Sequence, residues 1–248
     1  MRALRDFARY GVPGAVLACV MSLGAPCAAQ EPDPPTVPAA GDGRGSLVAP
    51  SAWLVMNTPV QKQVDLKLYG FYIGALKAPV AQIDVPIRTT RFLTITPSYM
   101  YYTVPPSGLN ALPAQPGRFT DSYDEHQFRI DGTFAFAVRR LEISARNMYV
   151  RRFRPAPLDG LNRYRGRLAV AYPFAVHGRA VKPFLSYEAF DDRHSGWNRS
   201  RVWSGVTLPV TRRLLVQPSY MWEKTDGARD VNYLLFGLIV NTRSGHKS

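Results

Sequence analysis

From Ser51 to about Val240 the chain alternates polar and apolar residues in segments of about ten to fifteen, separated by turn formers. The clearest segment is 125–138. One face carries His126, Phe128, Ile130, Gly132, Phe134, Phe136 and Val138, and the other Glu125, Gln127, Arg129, Asp131, Thr133, Ala135 and Ala137. A strict period of two suits a strand, whereas a helix would spread both sets around all its sides. Residues 163–174 follow the same rule, with Tyr164, Gly166, Leu168, Val170, Tyr172 and Phe174 against Arg163, Arg165, Arg167, Ala169 and Ala171.

The same reading predicts strands at 63–73, 79–87, 92–104, 141–152, 181–191, 199–208, 214–224 and 231–240, with a further one at 51–57 around Trp53. These exceed the ~5–6 residues common in globular sheets and match the ~9–11 that cross a bilayer. Short connections (88–91, 139–140, 175–180, 209–213) alternate with long or polar ones (105–122, 153–162, 192–198, 225–230). Outer-membrane barrels pair short periplasmic turns with longer external loops. The expected fold is therefore all-β, a transmembrane antiparallel up-and-down β-barrel of about 10 strands, or 12. An even number puts both barrel ends in the periplasm. The segments 92–101 and 214–222 echo each other. Pro97, Pro183 and Pro218 fall inside predicted strands, where each costs a ladder hydrogen bond and calls for a local irregularity.

The amino terminus changes the picture from barrel to exported barrel. Arg2, Arg5 and Arg9 precede an apolar stretch from Gly11 to Ala25, and Cys27-Ala28-Ala29 offers small residues for cleavage. Residues 1–29 are read as a signal peptide. The apolar run falls short of a spanning helix. Neither Cys19 nor Cys27 follows a good lipoprotein triplet, and both lie within the signal. The remainder then has no cysteine for a disulfide, a zinc site or a thiol nucleophile. Residues 30–50, rich in Pro and Gly, form an expected disordered periplasmic lead-in, 51–241 the barrel and 242–248 a tail without the usual terminal aromatic.

The stretch from Trp53 to Val240 resembles a family of bacterial outer-membrane barrels known only as a domain of unknown function. The resemblance rests on Trp53, Glu125-His-Gln-Phe-Arg129, Leu141-Glu-Ile-Ser-Ala-Arg146, Arg163-Tyr-Arg-Gly-Arg-Leu168, Ser186-Tyr-Glu-Ala-Phe190, Asn198-Arg199 ahead of Gly205, and Pro218-Ser-Tyr220. It implies fold and location and little chemistry.

With 31 Lys+Arg against 18 Asp+Glu the formal charge is +13. A barrel must turn its strand charges inward, since facing lipid at midplane costs ~2–4 kcal/mol each. The expected lumen network is Glu125, Arg129, Asp131, Glu142, Arg146, Arg163, Arg165, Arg167, Lys182, Glu188, Arg199, Arg201 and Glu223. Ion pairs filling a narrow interior are the favoured reading, and an Arg-lined anion path the alternative. Arg88, Arg91, Arg139, Arg140, Arg179, Arg212 and Arg213 give the periplasmic rim a basic character. Asp121, Asp124, Glu125, Asp159, Asp191, Asp192, Asp226 and Asp230 gather at the outer end, with Arg151, Arg152, Arg154 and Arg193 placed to meet lipopolysaccharide phosphates. Expected partners are outer-membrane lipids, lipopolysaccharide and the barrel-assembly machinery. An export signal and scattered arginines argue against nucleic acid. No metal-ligand or cofactor motif occurs. A barrel lipid hydrolase is the third class. His126, His177 and His246 sit poorly for catalysis, leaving His194 beside Asp191, Asp192 and Ser195 as its one cluster.

Overall fold

The computed structural model describes residues 46–74, 78–104, 122–155, 160–192, 196–226 and 230–242. The strands are β1 Leu47–Gln61, β2 Val64–Ile73, β3 Ala78–Asp84, β4 Ile87–Arg88, β5 Leu93–Val104, β6 Tyr123–Val138 and β7 Leu141–Phe153. They continue with β8 Leu161–Ala171, β9 Phe174–Val176, β10 Arg179–Asp192, β11 Gly196–Pro209, β12 Leu214–Thr225 and β13 Val231–Asn241. The period-two segments thus form strands close to where the alternation places them.

β4 prolongs β3 along β5, and β9 prolongs β8 along β10, so the wall has eleven staves. Neighbours pair antiparallel all the way round, except at the seam, where β1 lies parallel to β13 from Leu47↔Val231 to Asn57↔Asn241. An odd number of up-and-down strands leaves no other way to close. The barrel class is as expected, but the eleventh stave, β1, corrects the placement of the ends. Leu47 lies at the rim of the long connections and Asn241 at the rim of the short turns. β1 also starts earlier than the lone 51–57 segment suggested, because Val48, Pro50, Ala52 and Leu54 continue the outward face.

The strand prolines are accommodated by lapses in a neighbouring ladder. Pro97 of β5 lies opposite the break between β3 and β4, where its carbonyl still accepts from the Val85 amide. Pro183 of β10 faces the break between β8 and β9, and its carbonyl accepts from Tyr172. Around Pro218, pairing of β12 with β11 lapses between Gly205↔Ser219 and Leu208↔Val216. In each case the missing amide falls where no partner asks for it. At the short-turn rim, Arg139 and the pair His177-Gly178 adopt positive φ, as tight hairpins require.

Polarity is inverted relative to a soluble protein. Phe128 (56% exposed), Leu168, Tyr187 and Leu234 stand outward, whereas Glu125 is 0% exposed and Arg129, Asp131 and Glu188 are buried. Such an exterior is suited to lipid: each of these apolar side chains would gain ~1.5–3 kcal/mol by leaving water. The inside is not wholly polar. Phe190, Val150 and Met148 are buried in the lumen, and Ala49, Val231 and Tyr233 pack at the seam.

Candidate functional site in the lumen

Alternation fixes which side chains can meet inside the wall. Arg146, Arg167, Glu188, Arg201 and Glu223 come from five consecutive staves at one level, because Arg146↔Arg167, Arg167↔Glu188, Glu188↔Arg201 and Arg201↔Glu223 are register partners. Glu188 accepts from Arg146 (2.8 Å) and Arg165 (2.9 Å), with Arg201 at 3.9 Å. Glu223 pairs with Arg201 and lies 4.0 Å from Arg199. Three guanidiniums on one carboxylate form a network in which no member can swing away without leaving a charge stranded.

Two residues further along β10, toward the long loops, Phe190 is 1% exposed and surrounded by cations. The guanidiniums of Arg201 and Arg165 lie 4.6 and 4.7 Å from its ring centre, and those of Arg163 and Arg199 at 5.6 and 5.7 Å. A ring face attracts cations, more strongly where water is scarce. Phe190 therefore lets four like charges share the middle of a narrow tube. Arg163 in turn donates to both oxygens of Asp192 at 2.5 and 2.8 Å.

A second knot closes the β5–β7 side. Arg152 donates through Nε and Nη2 to the two oxygens of Glu125, both at 2.6 Å. Gln127 donates to Glu125 and to the Tyr102 hydroxyl, and its own oxygen accepts from Arg129 at 3.2 Å. Arg129 reaches Gln82 as well, at 3.1 Å, so amide oxygens take the place of a carboxylate. Asp131 accepts from Thr133 at 3.0 Å. Toward the short turns Lys182 meets Glu142 at 3.0 Å, both half-exposed.

Residues 74–233 match the model of a family described as "Protein of unknown function (DUF2490)". The chain belongs to this family. No curated protein sequence matches it. Among solved structures it is similar to LpxR from Salmonella typhimurium, with a TM-score of 0.45 and 10% identity over 71% of this chain and 83% of that one. It is also similar to OmpTdeltaL8, a loop L8 deletion mutant of OmpT, an outer membrane protein of Vibrio cholerae. There the TM-score is 0.40 and the identity 13%, over 73% of this chain and 59% of that one.

The DUF2490 match takes in every lumen charge anticipated from the sequence and leaves out β1, β2 and most of β13, which complete the ring. Those charges all project inward. The seven arginines anticipated at the periplasmic rim lie in or beside the short turns, and Arg88 reaches Asp65 at 3.7 Å. The outer-end group divides. Glu125, Arg152 and Asp192 face the lumen and pair there, so they are withdrawn from any contact with lipopolysaccharide. Arg151 faces out over the Phe153 ring and donates to Asn162. Asp124 accepts from Thr103 at 2.6 Å on the outer wall. Asp121, Asp159, Arg193, His194, Ser195 and His246 lie outside the described residues. His126 stands on the lipid side with its Nδ1 2.6 Å from the Tyr99 hydroxyl, and His177 occupies a tight turn. No metal-binding cluster occurs among the described residues. Phe190 was not anticipated as a lumen residue, being apolar by type. Only its position on the Glu188 face of β10 could have shown it.

Proposed function

We propose that this DUF2490 protein is an outer-membrane barrel that does not turn over a substrate. Its lumen is sealed by a fixed ion-pair network, and its wall engages lipid and lipopolysaccharide. The reading rests chiefly on Glu188 held by Arg146, Arg165 and Arg201 directly below Phe190 and its four guanidiniums. Apart from Arg167, that layer fills the tube with charges already satisfied by one another. A conducting filter instead needs partners weak enough to exchange with an ion.

The lipid half of the proposal draws support from the outer wall. Tyr149, Tyr187, Tyr220 and Trp197 are exposed there, as is Lys224, and Arg151 shares Asn162 with the Tyr149 hydroxyl. Aromatic girdles mark the interface of such barrels, and the two cations suit anionic head groups. The same outward apolar face makes the chain a fitting client of the barrel-assembly machinery.

Planar-bilayer recording tests the seal. The refolded full chain is expected to give no unitary currents in concentrated KCl. Steady anion-selective steps would overturn the reading in favour of an anion path.

A further inference from the structure

Below the Glu188 layer the lumen changes character. The inward positions become Ala135, Ala137, Ser144, Ala169, Ala171 and Ser186, and these small residues leave a cavity of about 590 Å³ that reaches the short-turn rim. A space of that size is ordinary for a small-molecule site, where ~300–1,000 Å³ is usual. Its walls carry one apolar corner. There Phe184 and Trp203 meet edge to face at 5.4 Å. Gly205 makes the corner possible, since a β-carbon on it would come within 2.9 Å of the Phe184 ring.

Arg167 forms the inner end of this cavity. Its register partner is Glu188, yet the Glu188 oxygens are taken by Arg146, Arg165 and Arg201. Among the described residues Arg167 makes no hydrogen bond and has no carboxylate within 4.0 Å, although Glu188 and Asp131 act on it from farther away; its Nε is buried and unsatisfied, as are those of Arg146, Arg165 and Arg199. Every other lumen arginine has a carboxylate or, for Arg129, amide oxygens. A buried guanidinium without an acceptor is costly, and a fork of N–H donors fits an oxyanion head better than any other group. The cavity therefore combines one unmet cation, an aromatic corner and an opening toward the short turns.

We propose that the cavity binds a small organic anion, with its carboxylate or phosphate head on Arg167 and its apolar body against Trp203 and Phe184. The ligand enters from the short-turn rim, where the surrounding arginines raise the local concentration of anions.

The test uses the full chain in zwitterionic lipid nanodiscs, titrated with hexanoate, hexylammonium and inorganic phosphate by calorimetry and tryptophan fluorescence. Hexanoate is expected to bind saturably and hexylammonium not at all. Arg167→Met should weaken hexanoate by about tenfold or more, as for loss of one charge-assisted contact, and Arg167→Lys by less. Should Arg167→Met fail to fold, Ala169→Phe fills the cavity from its wall and should abolish binding with Arg167 in place. Inorganic phosphate binding as tightly as hexanoate would overturn the assignment of an organic ligand. Absence of saturation, or unchanged affinity in folded Arg167→Met or Ala169→Phe, would overturn the site itself. Ionic current through the barrel would refute the sealed lumen alone and leave these titrations to decide the cavity.

Discussion

Trp53 of β1 packs against Gly237 of β13, its register partner over the parallel seam, so closely that a β-carbon on Gly237 would enter the indole ring. The last closure of the barrel is thus a ring seated on a bare backbone. Gly237→Ala should push the indole off its seat and destabilise the barrel by about 1–3 kcal/mol, the usual penalty of overpacking. Trp53→Ala should cost about 3–5 kcal/mol through the cavity it leaves. Because the two share one space, the double variant should be less destabilised than the sum. Urea unfolding in liposomes measures all three, and strict additivity would show that the seam does not depend on this contact.

The Glu125–Arg152 pair makes a different kind of demand. Glu125 is fully enclosed and both its oxygens are taken by one guanidinium. Glu125→Ala leaves Arg152 uncompensated and should cost about 3–5 kcal/mol, whereas Glu125→Leu with Arg152→Met should restore much of the loss. If single and double variants unfold at the same urea concentration, the pair contributes nothing that packing does not.

Conductance should respond to the stopper at the centre. Phe190→Ala removes the ring that keeps four guanidiniums in register, and Glu188→Ala frees Arg146 and Arg165. Together they should convert a silent barrel into one passing anions, since rings of arginine select for them. Voltage-clamped bilayers reveal this as unitary steps with reversal potentials shifted toward the anion equilibrium. Continued silence of a folded double variant would place the seal elsewhere in the lumen.

Much of this arrangement was legible in the period-two pattern. Charges on Glu125, Arg129, Arg163 and Arg167 share a face in sequence, and alternation alone carries them into one lumen. Three things were hidden. The first residues of β1, Leu47–Pro50, read as lead-in ahead of the 51–57 segment, because Pro50 interrupts their propensity while the seam with β13 supplies what the local sequence lacks. Phe190 is apolar, so a rule sending oily side chains to lipid misplaces it. Its neighbours Arg163, Arg165, Arg199 and Arg201 sit on the two flanking strands and meet it only through their register. Arg151 and Arg152 look equivalent in composition, yet adjacent strand residues point to opposite faces. One serves the outer wall and the other the lumen.

The inverted polarity itself predicts unequal costs on the two faces. Ile130 is outward and Thr207 lines the lower cavity. Ile130→Arg should cost about 2–4 kcal/mol if its level lies near the bilayer midplane. Thr207→Arg enters a wet, open space and should be tolerated with a much smaller loss. Equal penalties in liposome unfolding would contradict a lipid-facing Ile130.

The parity of the barrel can be read from outside the cell. With eleven staves, a residue just ahead of β1 shares the rim of the long connections, whereas an even barrel would leave it among the short turns. Single cysteines at Ser46, Asp226 and Arg212, in a background otherwise without cysteine, separate the two arrangements. A membrane-impermeant maleimide applied to intact cells should label Ser46→Cys and Asp226→Cys alike and spare Arg212→Cys until the outer membrane is broken. Labelling of Asp226→Cys with protection of Ser46→Cys would mean that β1 does not run parallel to β13 in the membrane, and the Trp53–Gly237 seat would then belong to a different closure.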